Sequence, residues 1–356
     1  MLQMFMLNLK RKDKRNLEFS INNEMFRLQT GECFEFLKSN NNYYRDTEED
    51  DLNVLISAIK NGKNWRKAIT EKFADLQPWL NDIILCSKRT KFIEEFLDAK
   101  NLSVLDIGAG WGQYSVPLAK ENYVCALEPT PERLKFIEAI AQQDNLSGNM
   151  FFLASNYFDL EFQTKFELIL CIGVLEWVGK FTIEDSSPET TQLEFLKKIK
   201  SDLTEDGKLV IGIENRLGLK YLLGANDDHT GLPHISCLSK ELAKTKFKLK
   251  TNQDLQCLTY SLHEYRNLLS EAGFLTIKFY ASLPDYKLPE KIFPISKNLS
   301  KCELNNSIQN GVKVDEHDGT NGKKLENQEE IYSIYLSLAE MGIAHYFAPS
   351  FFIEAS

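Results

Sequence analysis

The sequence predicts an α/β protein built on a doubly wound, mostly parallel sheet of seven strands, the last of them antiparallel. A small, mostly helical cap precedes it. Three observations carry this prediction. From Leu102 onwards, short apolar runs alternate with stretches whose apolar residues have helical spacing, the pattern of strands joined by right-handed helical crossovers. One run, Val104-Leu105-Asp106-Ile107, opens directly into Gly108-Ala109-Gly110-Trp111-Gly112, the mark of a strand turning tightly into a helix. Finally, two strands follow the fifth after long polar intervals, which suggests an antiparallel edge.

Taken in order, residues 1–90 read as the cap. Leu17, Phe19 and Ile21 alternate with polar residues, Asn22-Asn23 supplies a turn, and Met25 to Leu28 returns as a second strand. Asn40 to Asp51 is polar and acidic, a loop. Helical spacing follows in Leu52–Ile59, in Trp65–Phe73 and beyond Pro78. Residues 91–356 form the main domain. Its strands are Val104–Ile107, Tyr123–Leu127, Met150–Ala154, Phe166–Ile172 and Lys208–Ile213, then Phe274–Tyr280 and Tyr346–Ile353. Helices are expected at Gln113–Lys120, at Thr130 to Gln142 with Pro131 in its first turn, and along Leu193 to Leu203, stopped by Asp206-Gly207. Two more follow, at Leu262–Ala272, closed by Gly273, and at Ile331–Met341. The intervals near 215–260 and 284–328 read as lid insertions. Within the second, Lys297 to Asn327 is rich in Asn, Lys and Gly and reads as a loop.

Composition narrows the function. The chain has 356 residues, is 43% hydrophobic and 26% charged, and carries a net charge of −9, which suits a soluble domain and argues against nucleic acid or an anionic membrane as partner. No apolar run approaches the roughly 20 residues of a membrane span. Seven cysteines, at 33, 86, 125, 171, 237, 257 and 302, show no C-x-x-C pairing. They speak against structural zinc and disulfides, and for a reducing, cytoplasmic setting. The chain gives no reading of oligomeric state.

The acid at the strand tip is the informative residue. Phosphate sites use N–H groups and a helix N-terminus, without a carboxylate beside the anion. Asp106 suits a cationic or hydroxyl-bearing ligand. A nicotinamide-binding turn would need glycine at 113, where this chain has Gln113. About 20 residues on, Glu128 ends the second strand, where an acid accepts both hydroxyls of a ribose.

This pattern, Asp106 followed by Gly108, Gly110 and Gly112, resembles the class I S-adenosylmethionine-dependent methyltransferases. The resemblance implies that the glycine turn wraps the amino-acid part of S-adenosylmethionine, that Asp106 contacts its ammonium, and that Glu128 holds its ribose. Asn156 stands where the family often has an acid for the adenine amine, and its amide oxygen can accept the same bond. Gly173 would let the methyl-bearing end approach the backbone. Trp177 stands where many members carry a histidine, which removes a base at that position.

Two late segments, Ile213-Glu214-Asn215-Arg216-Leu217-Gly218 with Asp227-Asp228-His229, and Pro284-Asp285-Tyr286-Lys287, resemble a subset found in bacterial proteins of surface-polysaccharide synthesis. The reaction implied is methyl transfer to a hydroxyl of a sugar or glycan precursor. The alternatives are a small-molecule metabolite as acceptor, on O or N, and an inactive cofactor-binding scaffold. His229 or Asp228 is the expected general base or substrate orienter, with His229 near its ordinary pKa of about 6.5. No metal is expected. Neighbouring loop side chains rarely converge on one ion, and no third ligand is evident in the sequence. Arg216 is expected to pair with Glu214 or with an acidic substrate group, the internal ion pair being the simpler choice. His234, His263, His317 and His345 have no assigned role.

Overall fold

A computed structural model of the chain describes residues 7–11, 25–28, 30–35, 45–180, 186–295 and 328–356. They fall into two compact units, Met1–Cys171 with Ser201–Leu209, and Ile172–Lys200 with Val210–Ser356. The strand expected at Leu17–Ile21 and the loop expected at Lys297–Asn327 lie outside the described residues.

The first unit opens on strands β1 (Leu7–Arg11), β2 (Met25–Leu28) and β3 (Cys33–Glu35). The expected helices follow as α1 (Glu49–Lys60), α2 (Trp65–Phe73), α3 (Pro78–Leu85) and α4 (Lys91–Phe96). Strand β4 (Ser103–Ile107) leads into the short α5 (Ser115–Leu118), β5 (Tyr123–Glu128), α6 (Pro131–Gln143), β6 (Met150–Ala154), β7 (Leu160–Phe162) and β8 (Phe166–Ile172). The sheet order is β3-β6-β5-β4-β8, with β9 (Leu203–Glu214) beside β8. From β3 across to β8 neighbouring strands run parallel. Every residue of β4 is buried, because a central strand in a parallel sheet is covered on both faces. That burial encloses Asp106.

The helical region is joined to this sheet. Helix α1 packs on α6. The Gln143 side chain accepts the Trp65 N–H at 2.9 Å and donates to the Lys63 carbonyl at 2.8 Å, while the Trp65 indole donates to Asp144 at 3.2 Å. Strand β3 adds an outer edge to β6, and β1 pairs antiparallel with both β2 and β7 in a second small sheet.

Two expectations need correction here. Asp206-Gly207 does not stop a helix. Helix α7 (Pro188–Asp202) ends earlier, and β9 already begins at Leu203. Gly207 is small for another reason: a Cβ there would lie 2.9 Å from the Phe166 carbonyl of the neighbouring strand. The helix after the glycine turn is also short, one turn around Pro117.

The second unit carries the end of β9, then α8 (Leu219–Leu222), α9 (Lys240–Thr251), α10 (Leu262–Glu271), β10 (Ile277–Leu283), β11 (Lys291–Pro294), α11 (Gln328–Glu340) and β12 (Ser350–Ala355). Its strand order is β9-β12-β10-β11, and β12 runs antiparallel to β10, so the expected antiparallel final strand is present. Strand β10 starts three residues later than expected. Gly273, at φ +98°, turns the chain, and Leu275 and Thr276 first donate to the Ser356 carbonyl. Among the described residues no helix is long and apolar enough to cross a membrane.

Candidate active site

The predicted cofactor residues of the first unit gather at the carboxyl ends of β4, β5 and β6. Ile107 pairs with Leu127, and Glu128 with Ala154, which sets the Asp106 turn, Glu128 and the approach to Asn156 side by side. Gly108, Gly110 and Gly112 all hold positive φ, at 69°, 57° and 78°, conformations that cost L-residues strain. A Cβ on Gly110 would lie in ordinary contact with the Gln113 side-chain oxygen at 3.7 Å and the Gly108 carbonyl at 3.8 Å, so it is the positive φ rather than crowding that selects glycine there. At Gly112 it would meet Ile137 and Val116 at 3.2 Å. Gly112→Ala should therefore cost about 1–3 kcal/mol, measured as a lower urea midpoint at unchanged slope. A variant as stable as wild type would contradict this packing.

Burial raises the Asp106 carboxyl to about 6, against the opposing hydrogen bond from the Ser115 hydroxyl. Glu128 performs a task its sequence position did not announce. Its two oxygens accept the Gly110 N–H at 2.9 Å and the Thr130 N–H at 3.0 Å, so it fixes the glycine turn and the start of α6 together. Each oxygen keeps a second lone pair. Burial also raises Glu128, and Arg133 pulls it back. Behind the turn, Trp111 stands edge-on to Phe73 and Phe136, and its indole donates to Asp46 at 3.1 Å. Asp46 also pairs with Arg133. Asn156 uses its side-chain oxygen to cap the short helical turn that follows, accepting the Phe158 N–H at 3.0 Å.

The remaining predicted residues, Gly173, Asp228 and His229, belong to the second unit, where the structure builds a buried charged cluster. A Cβ on Gly173 would lie 2.9 Å from the Tyr286 hydroxyl and 3.7 Å from Glu176. His229 Nε2 stands 3.7 Å from Glu176 Oε1 and 3.6 Å from Glu214 Oε2, and Trp177 meets its ring edge-on at 5.1 Å. His229 does not sit near 6.5. Burial lowers it, but Glu214, Glu176 and Asp227 together raise it to about 9, so near neutral pH it is an imidazolium. Asp228 accepts from Lys220 and the Tyr221 hydroxyl, both at 3.1 Å, with Lys287 at 3.7 Å. Burial pushes it up, yet Lys220, Lys287 and His229 hold it well below the usual carboxylate range. Arg216 pairs with Glu264 at 2.7 Å, in place of the expected Glu214. Glu214 is instead held by Lys287 at 2.8 Å and by the Tyr286 hydroxyl at 3.2 Å.

Sequence reading missed Glu176, Glu214 and Lys287 as members of this cluster. The segment Pro284 to Lys287 had drawn notice, but its contact with Glu214 exists only in three dimensions.

The glycine turn, the buried acid at its strand tip and a second buried acid on the next strand thus stand together at one edge of the sheet. Residues 98–273 match the family model of a Methyltransferase domain. The chain is similar to the Ubiquinone biosynthesis O-methyltransferases of Rickettsia akari (strain Hartford), 26% identical over 124 residues, and Rickettsia canadensis (strain McKiel), 24% identical over 135 residues. These alignments cover 35% and 38% of this chain and 44% and 52% of the relatives, so the chain spans about half the length of the curated relatives it matches. A solved structure of Haemonchus contortus phosphoethanolamine N-methyltransferase 2 with S-adenosyl-L-methionine aligns at TM-score 0.43 and 13% identity, over 85% of this chain and 59% of that one.

Proposed function

We propose that the protein transfers the methyl group of S-adenosylmethionine to a hydroxyl oxygen of a sugar or glycan precursor. The observation that carries the reading is the glycine turn pinned by Glu128 beside buried Asp106. In this reading Asp106 serves the ammonium, Glu128 the ribose hydroxyls and Asn156 the adenine amine. The bound cofactor supplies an electrophilic methyl on a sulfonium, and the protein's share is mainly positioning. His229 and Asp228 serve as acceptor-orienting groups, since the first is protonated and the second is ion-paired. Cys86, Cys125, Cys171, Cys237 and Cys257 are free thiols, in keeping with work in the cytoplasm.

Support for a sugar acceptor is the resemblance of residues 213–231 and 284–289 to the polysaccharide-associated subset. A second reading, methylation of a small metabolite on oxygen, draws on the similarity to the Rickettsia Ubiquinone biosynthesis O-methyltransferases. A labelled-methyl screen of the full chain against sugar nucleotides, glycolipids and phenolic metabolites separates them. Label on a sugar oxygen supports the first, and label only on a phenol supports the second. S-adenosylhomocysteine binding by calorimetry with no transfer would make the protein a scaffold. Absence of that binding would remove the cofactor reading itself.

A further inference from the structure

We propose that Glu176, Glu214 and His229 form a binding site for one first-row divalent cation of the Mn²⁺ or Zn²⁺ kind. The residues come from the helical turn after β8, the last position of β9 and the loop after α8, all within the second unit. One ligand atom of each lies within 4.8 Å of the others. The imidazole Nε2 is 3.7 Å from one carboxylate oxygen and 3.6 Å from the other. These gaps are too long for hydrogen bonds. They are close to the spacing of ligand atoms about 2.1 Å from a tetrahedral ion, which stand about 3.4 Å apart. With the imidazole protonated both contacts are ion pairs, and a divalent ion would take the place of that proton.

The carboxylates themselves supply the second observation. Glu176 is 1% exposed and Glu214 0%, and the Oε2 atom of each has no hydrogen-bond partner. Buried polar atoms are rarely left so. Glu214 divides its oxygens: Oε1 is served by Lys287 and Tyr286, while Oε2 faces His229. Around the group, five carboxyls (Glu176, Glu214, Asp227, Asp228, Asp285) face two lysines, Lys220 and Lys287, and one imidazole. A neighbouring set, Glu214, Asp228 and Asp285, also reaches ligand spacing. There the ammonium of Lys287, against Glu214 and Asp228, already stands as the cation.

Behind the imidazole, Nδ1 is 4.0 Å from Asp227. That carboxylate is fixed by the His229 and Thr230 N–H groups, at 3.1 and 2.7 Å, and by the Ser236 hydroxyl. One imidazole with two carboxylates suits Mn²⁺, Fe²⁺ or Zn²⁺. Binding would release the imidazole proton to solvent, since a ligating histidine is neutral. Three protein ligands leave coordination positions open, where an acceptor oxygen would be polarised and made more acidic. That role rests on the methyltransferase reading; the site does not.

The test titrates the full chain, stripped by a chelator and dialysed, with MnCl₂ alone and with ZnCl₂ alone. Calorimetry should find one ion per chain, and E176Q and H229Q should each bind at least about tenfold more weakly. Unchanged S-adenosylhomocysteine affinity in both variants would show that they fold, and keeps this result separate from the cofactor reading. Where a variant fails to fold, pulsed electron paramagnetic resonance on Mn²⁺-loaded wild type should show coupling to one imidazole nitrogen. A wild type that takes up neither ion at millimolar concentration, variants that bind like wild type, or bound Mn²⁺ without nitrogen coupling would overturn the proposal.

Discussion

Asp106→Asn is expected to weaken S-adenosylhomocysteine binding by about 10–100-fold, the loss of one charge-assisted hydrogen bond worth about 1.5–3 kcal/mol. The side chain keeps its shape and, in place of the carboxylate, still reaches Ser115, so the fold should survive. The pH dependence is the sharper signature. In the fold the carboxyl ionises near 6, against 3.8 ordinarily. The unfolded chain therefore gives up its proton first, and this group's contribution to stability declines as pH rises from about 4 to about 6. Affinity moves the other way. On the proposed ammonium contact only the ionised carboxylate attracts the cofactor, so binding should strengthen as pH rises through about 6. Calorimetry of wild type and D106N across that range checks both points. A wild-type affinity that is flat in pH, or a D106N profile that keeps the slope, would place the ammonium contact elsewhere.

The largest expected effect on stability is at Lys287. Its ammonium lies 2.8 Å from Glu214 and 3.7 Å from Asp228, both buried. Their charge raises it well above its ordinary pKa despite burial, which alone would lower it. Lys287→Met keeps the stem and removes the charge, leaving two carboxylates facing each other with less compensation. Breaking a buried pair in this way costs about 3–5 kcal/mol, read from urea unfolding. Adding Glu214→Gln should restore part of that loss, because the stranded charge goes with it. A single variant within about 1 kcal/mol of wild type would show that the lysine contributes little to holding the cluster.

Much of this architecture was legible from short-range signals. Met150–Ala154 and Phe166–Ile172 were read to the residue because buried parallel strands are continuous apolar runs bounded by polar turns. The turn at Gly108 to Gly112 was legible because positive φ selects glycine. Helix α9 was not. It is rich in lysine, and only Ala243 is buried along it, so it has almost no apolar stripe to read. Strand β3 escaped because its partner, β6, lies more than a hundred residues away, and so does β7, the second of the two neighbours of β1. The charged cluster shows the deepest limit. Glu176, Glu214 and His229 have ordinary neighbours in sequence, and only the crossing of β8, β9 and the following loop makes them a group.

The pairings of β1 and β3 also bear on how the chain is made. Leu9 is registered against Phe162, and Cys33 against Phe152. A ribosome adding about 5–20 residues per second leaves both N-terminal strands without those partners for roughly 10–30 s. Through that interval their backbone donors and acceptors are open to other chains or to a chaperone. Synthesis rate, more than final stability, should then govern how much of the protein is recovered soluble, and slowing translation between codons 35 and 162 should lower the yield.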